Sequence, residues 1–239
     1  MKAHRVAWGG IVLALVIGLT GFYQTFDRLR TEQPRASAIV GELVASARVG
    51  QTFVAEYPGL AQVQVMLSAY DRRNTGPLIF HLQTAPDAAD DLVVLTLDAA
   101  KIENTGYYTF QFPPIQTGAG QSFYFYLEAP QAKRGNAITV RGAAEDVYPE
   151  GAAVLRGVQG PDVRDLAFRL EYDPPLMDRI SLLSYRLAQS KPAMWGDKWL
   201  YILLAGAYLV SLHALFVRAT RTGVIKRQND ESASQEKGK

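Results

Sequence analysis

The chain carries three histidines, and only His81 lies between its two apolar ends; cysteine is absent. That composition excludes thiolate zinc sites, cysteine nucleophiles and a disulfide framework. A Ser-His-Asp relay would have to be built on His81, and no Gly-x-Ser-x-Gly elbow accompanies it. His81 alternates with Phe80 and Leu82, which places it on the solvated face of a strand. There is no Walker A loop, and Gly118-Ala119-Gly120 follows two prolines between strands, the wrong context for a phosphate cradle. Two acidic pairs remain, Asp90-Asp91 and Glu145-Asp146. Glycosidases need carboxylates at a set separation, and calcium takes oxygen ligands from loops. Both pairs sit in polar, loop-like stretches, and the spaced Asp-x-Asp-x-Asp-Gly series is missing. The expectation is a chain with no catalytic residue, no metal and no cofactor.

The residue pattern that best suits binding lies in the stretch Tyr107 to Glu128. Side chains alternate across a strand, so Tyr108, Phe110 and Phe112 share one face of a first run, and Phe123, Phe125 and Leu127 one face of a second. With those faces inward, Tyr107, Gln111, Tyr124, Tyr126 and Glu128 point outward together. Tyrosine has an apolar ring and a polar tip, suited to a half-wet site. This face would stack sugar rings or receive a protein; the plainer alternative is that the rings are packed under a neighbouring segment. The link between the runs holds Pro113, Pro114, Gly118 and Gly120, which favour turns. The two runs therefore read as a hairpin, or as neighbouring strands.

Further short runs precede and follow this pair. Strand signals begin at Ile39 and continue at Val49 to Ala55, Leu60 to Tyr70, Leu78 to Gln83 and Leu92 to Leu97. After the central pair come Ala137 to Arg141, Ala152 to Leu155 and Asp165 to Tyr172. Eight or nine short strands with Gly, Pro, Asn and Asp between them indicate an antiparallel β-sandwich or jelly roll over residues 39–173. Gly50-Gln51-Thr52-Phe53 is echoed by Gly120-Gln121-Ser122-Phe123, which shared strand-entry chemistry explains as well as a repeat would. Leu176, Ile180, Leu183 and Leu187 recur at helical spacing and predict an amphipathic helix within residues 174–198, on the membrane surface or under the β-domain.

Two uncharged runs enclose this β-rich middle. Residues 6–23 and 199–217 are each long enough to cross a bilayer. The first also has the basic start of a signal peptide, but it is long and no small-x-small site follows promptly. Arg218, Arg221, Lys226 and Arg227 follow the second, and basic residues mark the cytoplasmic flank. Residues 24–198 hold 17 basic and 20 acidic residues, while the ends are basic. The expected layout is a cytoplasmic N-terminus (1–5), a span, a polar stalk (24–38), an external sandwich, a linker with its helix, a second span and a basic, polar cytoplasmic tail (218–239) that is disordered after Gly223. The place is a bacterial plasma membrane. Gly10, Ala14 and Gly18 in the first span, and Ala207, Ser211 and Ala214 in the second, form small-residue rows that let helices approach closely in lipid. His213 lies near the membrane interface and reads as snorkelling. The net charge of +2 argues against nucleic acid as a partner.

Gly50 to Phe53, Tyr107 to Ile115 and Gly120 to Glu128 together resemble jelly-roll ectodomains of the galactose-binding or carbohydrate-binding type found in bacterial envelope proteins. The resemblance covers residues 39–173 and implies a β-sandwich linked to cell-surface polysaccharide. Two functions are expected on this basis. One is a non-enzymatic accessory or scaffold subunit of an envelope complex, meeting a membrane protein or a second copy of itself. The other is a membrane-tethered module that binds a glycan.

Overall fold

A computed structural model describes residues 29–116, 119–158, 160, 162–189, 191 and 196–236, with side chains of the last helix to Arg218. The first apolar run, with Gly10, Ala14 and Gly18, lies outside the described residues. Residues 29–175 form one compact unit, and the segment from Leu176 belongs to another.

The first unit is an antiparallel sandwich of two sheets. Its strands are β1 (Arg30–Gln33), β2 (Ala38–Glu42), β3 (Arg48–Val54), β4 (Leu60–Ser68), β5 (Pro77–Gln83), β6 (Val93–Asp98), β7 (Gly106–Ile115), β8 (Ser122–Glu128), β9 (Thr139–Ala143), β10 (Ala153–Arg156), β11 (Asp165–Leu166) and β12 (Phe168–Tyr172). One sheet runs β10-β3-β8-β5-β6. The other is centred on β4, which pairs with β7 along one edge and with β12 and then β9 along the other; β1, β2 and β11 complete it.

Two expectations need correction. The runs at Tyr107 and Ser122 are neither a hairpin nor neighbours: β7 pairs with β4, whereas β8 lies between β3 and β5 in the opposite sheet. The reason is burial. A hairpin would place both Phe-rich faces on one sheet, whereas opposite sheets let them close on each other. Pro113 and Pro114 fit β7 because it pairs on one side alone and because both fall where its register with β4 shifts, between Gln111 and Ile115. Part of the expected stalk is also a strand. Arg30–Gln33 pairs with Glu171–Phe168 of β12, and Gln33, 3% exposed, donates to the Leu166 carbonyl at 2.8 Å.

Phenylalanine rings fill the space between the sheets. Phe80 of β5 stacks on Phe110 of β7 at 4.5 Å, and Phe168 of β12 meets Phe53 and Phe125 at 6.2 and 5.9 Å. The echoed tetrapeptides lie on adjacent antiparallel strands and meet only at their last residues, Phe53 and Phe123, cross-strand partners whose rings stack. A polar clamp also crosses the core. Gln51 of β3 points inward, donates to Asp165 Oδ1 at 3.1 Å, and accepts from the Leu166 N–H at 2.8 Å. Asp165 Oδ2 accepts the backbone N–H groups of Val147 and Tyr148 at 2.8 and 3.1 Å. Both side chains are fully buried, and mutual satisfaction is what makes that tolerable.

The second unit contains α1 (Leu176–Ala188) and α2 (Lys198–Glu236). The amphipathic spacing at Leu176 thus forms the helix expected of it. Asp197 caps α2, its Oδ1 accepting the Trp199 N–H at 2.9 Å. Lys198–Arg218 is 21 residues long and, by length and composition, apolar enough to cross a membrane. The helix then continues to Glu236, where a disordered tail was expected. Lys, Arg, Gln, Glu and Ala are good helix formers and outweigh the single Gly223.

Candidate functional site

The outer face of the five-stranded sheet carries an ordered polar row. Register sets its members: Tyr126 of β8 is opposite His81 of β5 and Gly50 of β3, while Tyr124 is opposite Gln83 and Thr52. The His81 and Tyr126 rings are parallel at 4.3 Å, and Tyr126 stacks on Tyr124 at 5.6 Å. Arg48 lies 5.2 Å from the Tyr126 ring and its Nε donates to Glu128 at 2.9 Å. His81 Nδ1 is 2.8 Å from Asp91, and its Nε2 faces Glu128 at 3.7 Å. His81 is therefore a half-buried member of the row and not a solvated position.

Gly50 makes this packing possible. A Cβ there would lie 2.5 Å from the Phe125 carbonyl oxygen and 2.5 Å from both Cε2 and the hydroxyl of Tyr124. The missing side chain is the slot in which the Tyr124 ring rests, leaving that residue 3% exposed. Burial pushes the Tyr124 phenol up to about 12, against the lowering pull of Arg156 and Arg48. Burial also raises Tyr126, helped by the nearby Asp91 charge.

Beside these rings is a cavity of about 260 Å³. Gln83, Tyr124 and Tyr126 form its floor, Arg48 and Arg156 its walls, and Pro86–Ala88 of the β5–β6 loop its rim. Arg156 donates to Asp87 at 3.3 Å. The Gln83 amide and the hydroxyls of Tyr124 and Tyr126 have no hydrogen-bond partner among the described residues, although Gln83 is only 7% exposed. None of these groups is among the side-chain atoms sealed from solvent without a partner, so they open on the cavity, within reach of a polar ligand.

The expected site residues are thus divided between the two sheets. Tyr124, Tyr126 and Glu128 lie in this row. Tyr107 and Gln111 are on β7, on the outer face of the other sheet. There Arg169 sits 3.8 Å over the Tyr107 ring, and Gln111 is opposite Gln62. The expected flat stacking platform is also revised: ring faces in the row are taken up by neighbouring rings, so hydroxyl edges are presented. Arg48, Gln83 and Arg156 were missed because a strand's partners are not written in its own sequence. Of the small-residue row on α2, Ala207, Ser211 and Ala214 are exposed, and the Ser211 hydroxyl is spent on the Ala207 carbonyl at 2.8 Å. Of the acidic pairs, Asp91 joins His81, while Glu145 is 3.4 Å from Arg35.

No family model matches the chain, and no curated protein does. Solved structures similar to it include the GH26-CBM35 β-(1,4)-mannanase of Podospora anserina, at 8% identity, with 61% of this chain covering 25% of that one and a TM-score of 0.30. Another is the CBM36-1 domain of a multidomain xylanase from the hindgut metagenome of Trinervitermes trinervoides, at 8% identity, 60% and 86% coverage and a TM-score of 0.29. A third is the carbohydrate-binding module CBM36 in complex with calcium and xylotriose, at 11% identity, 53% and 98% coverage and a TM-score of 0.27. The carbohydrate-binding-like resemblance expected from the sequence recurs among these structures. This chain spans a quarter of the mannanase's length, and likeness at these TM-scores carries no argument about its ligand.

Proposed function

We propose that the β-sandwich is a saccharide-binding module tethered to a bilayer by α2, with the cavity on the five-stranded sheet as its site. One observation carries this reading: Gln83, Tyr124 and Tyr126 are mostly buried, and their polar atoms, without a partner among the described residues, open on a cavity of about 260 Å³. Its size suits a single small unit, since pockets for drug-sized ligands begin at about 300 Å³. Its lining offers amide, hydroxyl and guanidinium groups, which match the hydroxyls of a sugar by direct hydrogen bonds. Arg218, Arg221, Lys226 and Arg227 support a cytoplasmic end for α2 and an external sandwich at a bacterial plasma membrane. The scaffold reading keeps only the exposed small-residue row of α2, whose one hydroxyl is already used.

The full chain in detergent micelles, applied to a printed glycan array, tests the proposal. Retention of a saccharide is expected, with Tyr124→Phe and Gln83→Leu each weakening it about two- to tenfold, the range of one net hydrogen bond. Tyr107→Phe, on the other sheet, is expected to leave retention unchanged. If no saccharide is retained, or if Tyr107→Phe weakens retention as much as Tyr124→Phe does, the proposal fails.

A further inference from the structure

Arg48 and Arg156 are direct cross-strand partners on β3 and β10, and so share the outer face of the sheet. Like charges placed directly opposite each other oppose strand pairing. Each arginine has one acid, and each uses little of its donor capacity on it. Arg48 binds Glu128 through Nε, and its two terminal nitrogens have no partner among the described residues. Arg156 binds Asp87 through one terminal nitrogen, and Asp87 is 93% exposed, so that pairing is weakly held. Guanidinium has five N–H donors and no acceptor. The walls of the cavity therefore hold a surplus of charged donors around two repelling cations. Both arginines also act electrostatically on the Tyr124 hydroxyl at the floor. An anion between them would relieve the repulsion and take up the free donors in the fork geometry that arginine forms with oxyanions.

Resting on the saccharide reading above, we infer that the preferred ligand is an acidic sugar, its carboxylate or sulfate ester bridged between Arg48 and Arg156 while Gln83 and the tyrosine hydroxyls bind the ring hydroxyls. The test compares glucuronate, glucose 6-sulfate and glucose, free and as the terminal unit of array oligosaccharides, by calorimetry on the full chain in detergent. At least one charged sugar is expected to bind about tenfold or more tightly than glucose, equivalent to about 1.4 kcal/mol. Which of the two wins identifies the anionic group. Arg156→Gln is expected to remove most of the difference, weakening the charged sugars several-fold more than it weakens glucose. In the unaltered chain the preference should shrink between low and high salt, as a charge contact at a half-exposed site does. Glucose binding as tightly as both charged sugars, or a preference indifferent to both salt and Arg156→Gln, overturns the inference and leaves the saccharide reading standing. Failure of all three sugars, free and on the array, removes both.

Discussion

Asp165→Ala tests whether the polar clamp holds the two sheets in register. The Asp165 side chain is fully buried and accepts three hydrogen bonds: one from the Gln51 amide and two from the backbone N–H groups of Val147 and Tyr148. Alanine leaves all three donors in place and removes the carboxylate that met them. The Gln51 amide keeps a second acceptor, the Thr52 carbonyl at 3.1 Å, so the main loss falls on the two backbone groups. A buried donor left unmade costs about 1–3 kcal/mol, which gives roughly 2–6 kcal/mol for the two backbone groups. Against a typical stability of about 5–15 kcal/mol that is a large share. Asp165→Asn keeps one acceptor oxygen and should lose about half as much. Urea unfolding of the full chain in detergent, followed by near-ultraviolet circular dichroism in the tyrosine band, measures it. The three tryptophans, Trp8, Trp195 and Trp199, lie outside residues 29–175, so tryptophan fluorescence would miss the transition. A loss below about 1 kcal/mol for Asp165→Ala would refute the assignment of the clamp as a fold-holding element.

Gly50→Ala should cost about 1–3 kcal/mol by overpacking, because the Phe125 carbonyl 2.5 Å away is backbone and cannot yield. It should also displace the Tyr124 ring and weaken saccharide retention, and retention equal to that of the unaltered chain would show that the slot is irrelevant to the site. Alkaline stability should follow the buried phenols. Tyr124 and Tyr172 are both pushed up by burial to about 12 from an ordinary 10.0, so between these values the folded chain holds protons that the unfolded chain has released. Stability is then intact below about pH 10 and falls as pH rises toward about 12. Ultraviolet titration of the folded protein should show Tyr124 and Tyr172 among several tyrosines ionising late, and ionisation of every tyrosine near pH 10 would contradict their burial.

Strand identity was largely legible in advance because period-two alternation is a local property. Val63, Val65 and Leu67, or Phe123, Phe125 and Leu127, declare an inward face without reference to any partner. The amphipathic helix at Leu176 and the apolar stretch of α2 were legible for the same reason. Pairing was not legible. Pro113, Pro114, Gly118 and Gly120 look like a hairpin connection, yet β7 and β8 belong to opposite sheets. Arg30–Gln33 has too few apolar residues to announce a strand, and becomes one because β12 offers an open edge. Half of the candidate site followed the same logic: Tyr124, Tyr126 and Glu128 share a face by parity alone, but Tyr107 and Gln111 joined them only through the mistaken pairing.

By itself, the amino-acid order determined that this chain alternates its way into a two-faced β-domain, lacks cysteine chemistry, and contains an apolar stretch the length of a bilayer. These follow from composition and short-range periodicity. Only the tertiary structure decided that Gly50 would leave a slot under Tyr124, that His81 would close the ring stack, and that Arg48 and Arg156 would sit side by side at one cavity. Those meetings depend on strand register, which burial of the whole core selects and no single strand encodes.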